Sequence, residues 1–117
     1  PGLPGFFIAH PNPMTSLSLL IKNEPDLTAG ALRFARAIDP DNTRVDCVFF
    51  FGKGVQHATG DNRNFWSSWS REVGARLILC SASAETYELI ADDDFYVGGL
   101  GELVEAGMTS DKVVSFG

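Results

Sequence analysis

The chain has 117 residues, of which 44% are hydrophobic and 21% are charged, and this is the size and composition of one folded domain. These fractions exclude a disordered, collagen-like or coiled-coil chain. Nine Lys and Arg against 15 Asp and Glu leave a formal net charge of −6, which argues against direct binding of nucleic acid, because that affinity depends largely on basic residues that neutralise phosphates.

Two further features bear on the cellular location. No apolar run reaches the ~18 to 20 residues of a membrane span, and no basic segment precedes an apolar one at the amino end, so we expect neither an anchor nor an export signal. Two cysteines are too few for a disulfide framework, which favours a reducing cytoplasm. Residues 1–5 lack an initiator Met and are interpreted as a cloning remnant or a processed end.

The first elements are a strand, an insertion and a helix. Residues 6–9 form a short apolar run, which predicts a buried strand. Residues 12–25 contain apolar side chains without a clear period, and we interpret them as an inserted loop or an interface flap. From Asp26, an expected N-cap, apolar positions at helical spacing predict an amphipathic helix that ends at residues 39–40.

The remainder of the chain alternates strands and helices. Residues 45–51 read as a buried central strand, a helix over residues 65–73 precedes Gly74, and residues 76–80 resume the strand pattern. The later elements are a helix over residues 81–90, an acidic turn at residues 92–94, a helix over residues 100–104 and a strand over residues 113–116. This alternation predicts a single domain over residues 1–117, with a three-layer, doubly wound α/β fold and a mainly parallel sheet.

Candidate reactive residues gather at one edge of that sheet. Parallel sheets bind ligands at the carboxyl ends of their strands, and His10, Lys53, His57 and Cys80 all lie at or just beyond predicted strand ends. Cys47 comes four residues before its strand ends, roughly 13 Å below that edge at ~3.3 Å per residue. We therefore expect Cys47 to be a core residue that forms no disulfide with Cys80.

Cys80 has the surroundings of a reactive thiol. It ends an apolar strand, and the small residues after it begin a helical stretch. The amino end of a helix stabilises a thiolate, which is the nucleophilic form of cysteine. Position alone leaves open the alternative of a small core residue at the end of a strand.

Other motifs offer little chemistry. The segment Gly52-Lys53-Gly54 is too short for a phosphate-binding loop, and residues 98–101 depart from the dinucleotide fingerprint, so a tight turn or a close backbone approach is expected there. The histidines and cysteines are not spaced as zinc ligands, and the acidic run at residues 92–94 is expected to be solvated. We therefore expect neither a metal nor a cofactor.

Three segments resemble a known family. They are Val-Phe-Phe-Phe-Gly-Lys-Gly-Val at residues 48–55, the strand that closes at Cys80, and residues 99–116, which run from Gly-Leu-Gly-Glu-Leu-Val-Glu-Ala to Asp-Lys-Val-Val-Ser-Phe. Their order and spacing resemble the DsrE/TusD family of sulfur-relay proteins over roughly residues 6–116. The resemblance implies a DsrE-like fold and a sulfurtransferase that carries a persulfide on Cys80.

The resemblance also implies partners and a pathway. It points to related DsrE-like subunits in a hexamer of three related chains, or to a homo-oligomer, and to a small sulfur-carrier protein with a reactive cysteine. The implied process is tRNA 2-thiouridine synthesis or else dissimilatory sulfur oxidation. The sequence also predicts an oligomer from its apolar content. A small domain does not readily bury all of its large hydrophobic side chains, which here include Trp66, Trp69 and the apolar residues 17–21.

The sequence departs from the family after its cysteine. Paired arginines and a glycine are usual there, whereas Cys80 is followed by Ser-Ala-Ser-Ala-Glu-Thr. Lys53 is then the remaining cation able to stabilise the thiolate, and His57 is a second candidate, for proton transfer. Two alternatives stay open: a non-catalytic scaffold subunit of the same kind of assembly, and a small-ligand or nucleotide-binding α/β domain that uses the turn at residues 98–101.

Overall fold

A computed structural model of the chain describes residues 14–117, and the strand predicted at residues 6–9 and His10 lie outside them. Its strands are β1 Thr15–Ile21, β2 Thr43–Phe50, β3 Arg76–Cys80, β4 Phe95–Gly98 and β5 Lys112–Phe116. Its α-helices are α1 Ala29–Ala37, α2 Gly60–Val73, α3 Ser81–Thr86 and α4 Leu100–Thr109, and a 3-10 helix spans Gly52–Ala58.

The five strands form one sheet in the order β4-β3-β2-β1-β5, and every neighbouring pair is parallel. Each crossover carries the chain back to the same edge, so all five carboxyl ends lie at one edge of the sheet. The predicted α/β class with a doubly wound, mainly parallel sheet is therefore confirmed.

Two cores separate the three layers. The larger core lies between the sheet and the helices α1 and α2, and it contains alternate residues of β1 to β3 together with Trp66 and Trp69. The smaller core lies on the opposite face, where Cys47, Phe49 and Ile78 meet Ala106 of α4. The prediction that Trp66, Trp69 and residues 17–21 face another subunit is wrong, because these side chains are buried within this chain, apart from the half-buried Leu20.

The interpretation of residues 12–25 as an inserted loop is also wrong, because β1 lies within this segment and pairs with both β2 and β5. Leu17, Leu19 and Ile21 alternate toward the larger core, while Ser16 and Ser18 point to the other face. In the sequence this alternation is interrupted at residues 19–21, where three apolar residues are adjacent. The serines are buried because partners far along the chain satisfy their hydrogen bonds. Ser18 Oγ lies 2.8 Å from Ser110 Oγ, and Ser16 Oγ accepts a hydrogen bond from the Asp111 N–H at 2.9 Å.

Several boundaries differ from the predicted ones. Helix α1 begins at Ala29 instead of following an Asp26 N-cap, because a turn occupies residues 25–27. Helix α3 ends at Thr86 instead of residue 90. The predicted glycine stop of α2 is confirmed, since Gly74 has a φ of 78° and its N–H donates to the Ser70 carbonyl. Within residues 14–117, no helix is long and apolar enough to cross a membrane.

Candidate functional site

Cys80 is the last residue of β3, and α3 begins at the next residue. The thiol-bearing residue therefore lies at the carboxyl edge of the sheet, beside Gly98, its register partner on β4. Its neighbours in the smaller core include Phe49 and Ile78, and the residue exposes 7% of its surface. Little of Cys80 is therefore accessible to a reactant in this structure.

A hydrogen bond ties the Cys80 segment to the loop after β2. Ser83, in the first turn of α3, accepts a hydrogen bond from the Gly52 N–H at 2.9 Å. Gly52 has a φ of 58°, a left-handed conformation that favours glycine. No pattern in the sequence points to Ser83, because its partner lies 31 residues away and only the fold brings the two together.

Two glycines shape the other side of the site. A Cβ atom at Gly98 would lie 2.9 Å from both Ile78 Cγ2 and Glu102 Oε1, so only glycine fits there without a shift. The Gly99 N–H donates to Glu102 Oε1 at 2.7 Å, which fixes this carboxylate at the start of α4. The sequence signal for Glu102 is its place three residues after the N-cap, the position of the acidic residue in a capping box.

Lys53 lies in the 3-10 helix, directly after Gly52. Its side chain is 60% exposed, and its Nζ lies 4.0 Å from Glu24 Oε2. Gly52, next to Lys53, is hydrogen-bonded to Ser83, three residues after Cys80. The segments that carry Lys53 and Cys80 are therefore joined at the carboxyl edge of the sheet. The exposed ion pair with Glu24 contributes little to stability.

His57 is fully buried beneath this edge, and both of its ring nitrogens have partners. Trp66 Nε1 donates to His57 Nδ1 at 3.0 Å, so the proton of the neutral ring is on Nε2, which lies 2.7 Å from Thr28 Oγ1. The Thr28 hydroxyl in turn donates to a backbone carbonyl, that of Asn23 or Glu24. Burial lowers the pKa of His57 to about 4, so the ring is neutral at pH 7.

Cys47 lies below the site, within β2. It pairs in register with Arg76, four residues before Cys80, and it is fully buried. Its thiol donates to Ser18 Oγ at 3.5 Å, and desolvation by burial raises the pKa of the thiol. Both cysteines are free.

The acidic run at residues 92–94 is held by arginines. Arg63 Nη2 lies 2.7 Å from Asp92 Oδ2, and Arg71 pairs with Asp94 through both Nε and Nη2. Asp92 also accepts a hydrogen bond from the Phe95 N–H, and these contacts, the backbone one first, lower its pKa to about 2. Two carboxylates that were expected to be solvated, those of Asp92 and Asp94, are thus paired with arginines. Within residues 14–117, no group of three or more His, Cys, Asp and Glu side chains is arranged to hold a metal ion.

A groove in the described part of the chain lies away from this edge. It has a volume of about 730 Å³ and lies between α1 and α2, and its lining includes Ala35, Ile38, Phe65, Trp69 and Val73. None of Cys80, Lys53 and His57 lines it. The structure thus separates this groove from the candidate thiol.

Comparison with known proteins places these features in a family. The model of the DsrE/DsrF-like family matches residues 17–116. A protein named sulfurtransferase TusD from Salmonella arizonae is 30% identical over 111 residues, covering 75% of this chain and 87% of the relative. A putative sulfurtransferase DsrE from Allochromatium vinosum is 26% identical over 110 residues, covering 74% and 85%.

The fold has a counterpart among solved structures. The YchN protein from E. coli superimposes with a TM-score of 0.66 over 88% of this chain and 100% of that chain, at 15% sequence identity. At this identity the likeness concerns the fold alone. The family model, which spans almost all of the described residues, gives the assignment: the chain belongs to the DsrE/DsrF-like family.

Proposed function

We propose that the chain is a sulfurtransferase subunit of a cytoplasmic sulfur relay and that it carries sulfur as a persulfide on Cys80. The observation that carries this proposal is the position of Cys80 at the carboxyl edge of the sheet, with a helix beginning at the next residue, in a chain whose relatives are named sulfurtransferases. The two free cysteines fit a reducing compartment.

The proposed reaction is a pair of thiol exchanges. The Cys80 thiolate attacks the terminal sulfur of a donor persulfide, a new S–S bond forms at Cys80, and the donor's S–S bond breaks as the donor leaves with the electron pair as a thiolate. An acceptor thiolate then attacks the terminal sulfur on Cys80 and releases the Cys80 thiolate. No net oxidation occurs, so the cycle needs no cofactor.

The surrounding residues have separate proposed roles. Lys53, exposed and joined to the Cys80 segment through Gly52 and Ser83, supplies positive charge to the incoming donor and the departing thiolate. His57 has no free ring nitrogen in this structure, so we assign it to holding Trp66 and Thr28 in place and not to proton transfer.

The proposed partners are proteins. We propose that the chain assembles with related DsrE-like subunits or with copies of itself, and that it exchanges sulfur with a small carrier protein bearing a reactive cysteine. A net charge of −6 disfavours direct contact with nucleic acid. The names of the relatives support sulfur transfer. As the pathway we propose tRNA 2-thiouridine synthesis first and dissimilatory sulfur oxidation second.

A second candidate function is that of a scaffold subunit. Cys80 is only 7% exposed and belongs to the smaller core, as a merely structural cysteine would. In that case the chain would support a related subunit that bears the reactive thiol.

One experiment distinguishes the two functions. The chain is incubated with a persulfide donor, and its intact mass is measured before and after reduction. A sulfur carrier gains the mass of one sulfur atom, loses it on reduction, and fails to gain it as Cys80→Ser, whereas Cys47→Ser, the matched control, still loads. A scaffold gains no sulfur in any of the three forms.

A further inference from the structure

Helix α4 exposes a row of large apolar side chains on its outer face. Leu100, Val104 and Met108 are 63%, 59% and 81% exposed, whereas Ala106 is buried against the sheet. Residues four apart lie on one face of a helix, so the three side chains form a continuous stripe, which we call the outer row. This stripe is the largest group of exposed apolar side chains on any one element of residues 14–117.

Two glycines flank the outer row. A Cβ atom at Gly101 or Gly107 would meet nothing within 4 Å in the described part of the chain. Glycine is a poor helix former, and the packing within residues 14–117 gives no reason for it at either position. The missing side chains leave two gaps beside the outer row.

The outer row and its gaps are symmetric about Val104. Leu100 and Met108 lie four residues to either side, and Gly101 and Gly107 lie three residues to either side. If two such helices pack antiparallel about a two-fold axis at Val104, each Val104 meets its own copy. At about 100° and 1.5 Å per residue, Met108 then faces the gap at Gly101 of the other copy, and Leu100 faces the gap at Gly107. A two-fold interface requires this kind of self-complementary surface.

We propose that α4 is a docking surface for a second copy of this chain, with the two α4 helices antiparallel and each large side chain seated in a glycine gap. The proposal goes beyond the sulfur chemistry and uses none of the residues assigned to it. Two ten-residue helices bury less than the roughly 1,600 Å² of a standard stable interface, so we expect a weak dimer that dissociates on dilution.

A negatively charged residue beside the outer row opposes the proposed association. Glu105 follows Val104 and is exposed. In the antiparallel arrangement, the two Glu105 side chains lie on the same side of the pair, where like charges oppose association. Removing this charge should therefore tighten the contact.

The test is the molar mass of the chain over a wide range of concentration, by sedimentation equilibrium. We expect the wild-type chain to pass from monomer to dimer. Val104→Lys should weaken the dimer at least about tenfold, because it places two ammonium groups at the axis, and Glu105→Gln should strengthen it. Ile90→Lys, the matched control at a 77% exposed apolar residue outside α4, should leave it unchanged.

The glycines supply a test that separates docking from folding. Gly101→Ala and Gly107→Ala should raise the unfolding temperature of the dilute monomer, because alanine favours the helix, while weakening dimerisation by filling the gaps. Three results would overturn the proposal: a wild-type chain that stays monomeric throughout, a dimer that Val104→Lys leaves intact, and association only with a different, related chain. Sulfur loading of Val104→Lys is measured alongside, so failure of the docking surface is distinguished from failure of the sulfur carrier.

Discussion

Ser83 Oγ and the Gly52 N–H are joined by a 2.9 Å hydrogen bond that links the first turn of α3 to the loop after β2. The bond lies three residues after Cys80 and one residue before Lys53, so it joins the segment of the thiol to the segment of the proposed cation. The rigidity of this edge depends on the contact, because a sheet fixes its strands more firmly than the loops that follow them.

The first prediction concerns this contact. Ser83→Ala should lower the free energy of unfolding by about 1 kcal/mol and slow sulfur loading of Cys80, because the Gly52 N–H loses its acceptor. Ser81→Ala is the matched control, since Ser81 is exposed in the same turn. Loading kinetics and denaturant titrations measure the two effects, and equal behaviour of the two variants would show that the bond does not position the site.

The second prediction compares the two thiols. Cys80 should react with iodoacetamide faster than Cys47 in the folded chain, because Cys80 lies at the edge of the sheet and Cys47 is fully buried with a raised pKa. Peptide mass spectrometry after timed alkylation gives both rates. A faster Cys47 would reverse the assignment of the reactive thiol.

The third prediction is a loss of stability in mild acid. The pKa of His57 is about 4 in the folded chain against 6.5 for an ordinary histidine, so between these values the unfolded chain binds the extra proton. The contribution of neutral His57 to the free energy of unfolding is therefore complete above pH 6.5 and is lost as the pH falls toward 4. The loss from this residue is about 3 kcal/mol at most.

Urea unfolding followed by tryptophan fluorescence at several pH values measures this loss, because Trp66 donates directly to His57. The variant His57→Gln retains hydrogen-bonding groups and cannot titrate, so its stability should change less over the same pH range. A wild-type stability that is flat from pH 7 to 4.5 would contradict the prediction.

The fourth prediction concerns Gly98, the register partner of Cys80. Gly98→Ala should destabilise the fold by about 1 to 3 kcal/mol, because the added methyl group would lie 2.9 Å from Ile78 Cγ2 and Glu102 Oε1. Gly101→Ala, whose Cβ meets nothing within 4 Å, is the control and should not destabilise a dilute monomer. Equal unfolding midpoints of the two variants would contradict the prediction, because they would show that the residues around Gly98 accommodate the methyl group without a loss of stability.

Local patterns predicted the elements on which the candidate site stands. The limits of β3, the glycine after α2 and the position of Cys80 at a strand end all follow from short stretches of sequence. Strand β1 was not recognised, because the alternation of Ser and Leu at residues 16–19 is short and gives way to adjacent apolar residues at 19–21. The partners that allow Ser16 and Ser18 to be buried, Asp111 and Ser110, lie more than 90 residues away. Burial of these polar groups is a tertiary property.

The same limit applies within the site. A histidine just beyond a strand end is a reasonable candidate for proton transfer, and only the fold shows that Trp66 and Thr28 occupy both nitrogens of His57. The contact of Ser83 with Gly52 likewise depends on two neighbouring strand ends meeting at one edge. Sequence patterns therefore located the edge but could not give the contacts among its side chains.

The measurement that tests the central claim most directly is the location of the carried sulfur. The folded chain is loaded by a persulfide donor, its free and persulfidated thiols are alkylated, and the peptides containing Cys47 and Cys80 are separated and weighed. We predict one additional sulfur atom on the Cys80 peptide, none on the Cys47 peptide, and none on either when an acceptor thiol is added before alkylation. Additional sulfur on Cys47, or on neither peptide of a folded chain, would contradict the assignment of Cys80 as the sulfur carrier.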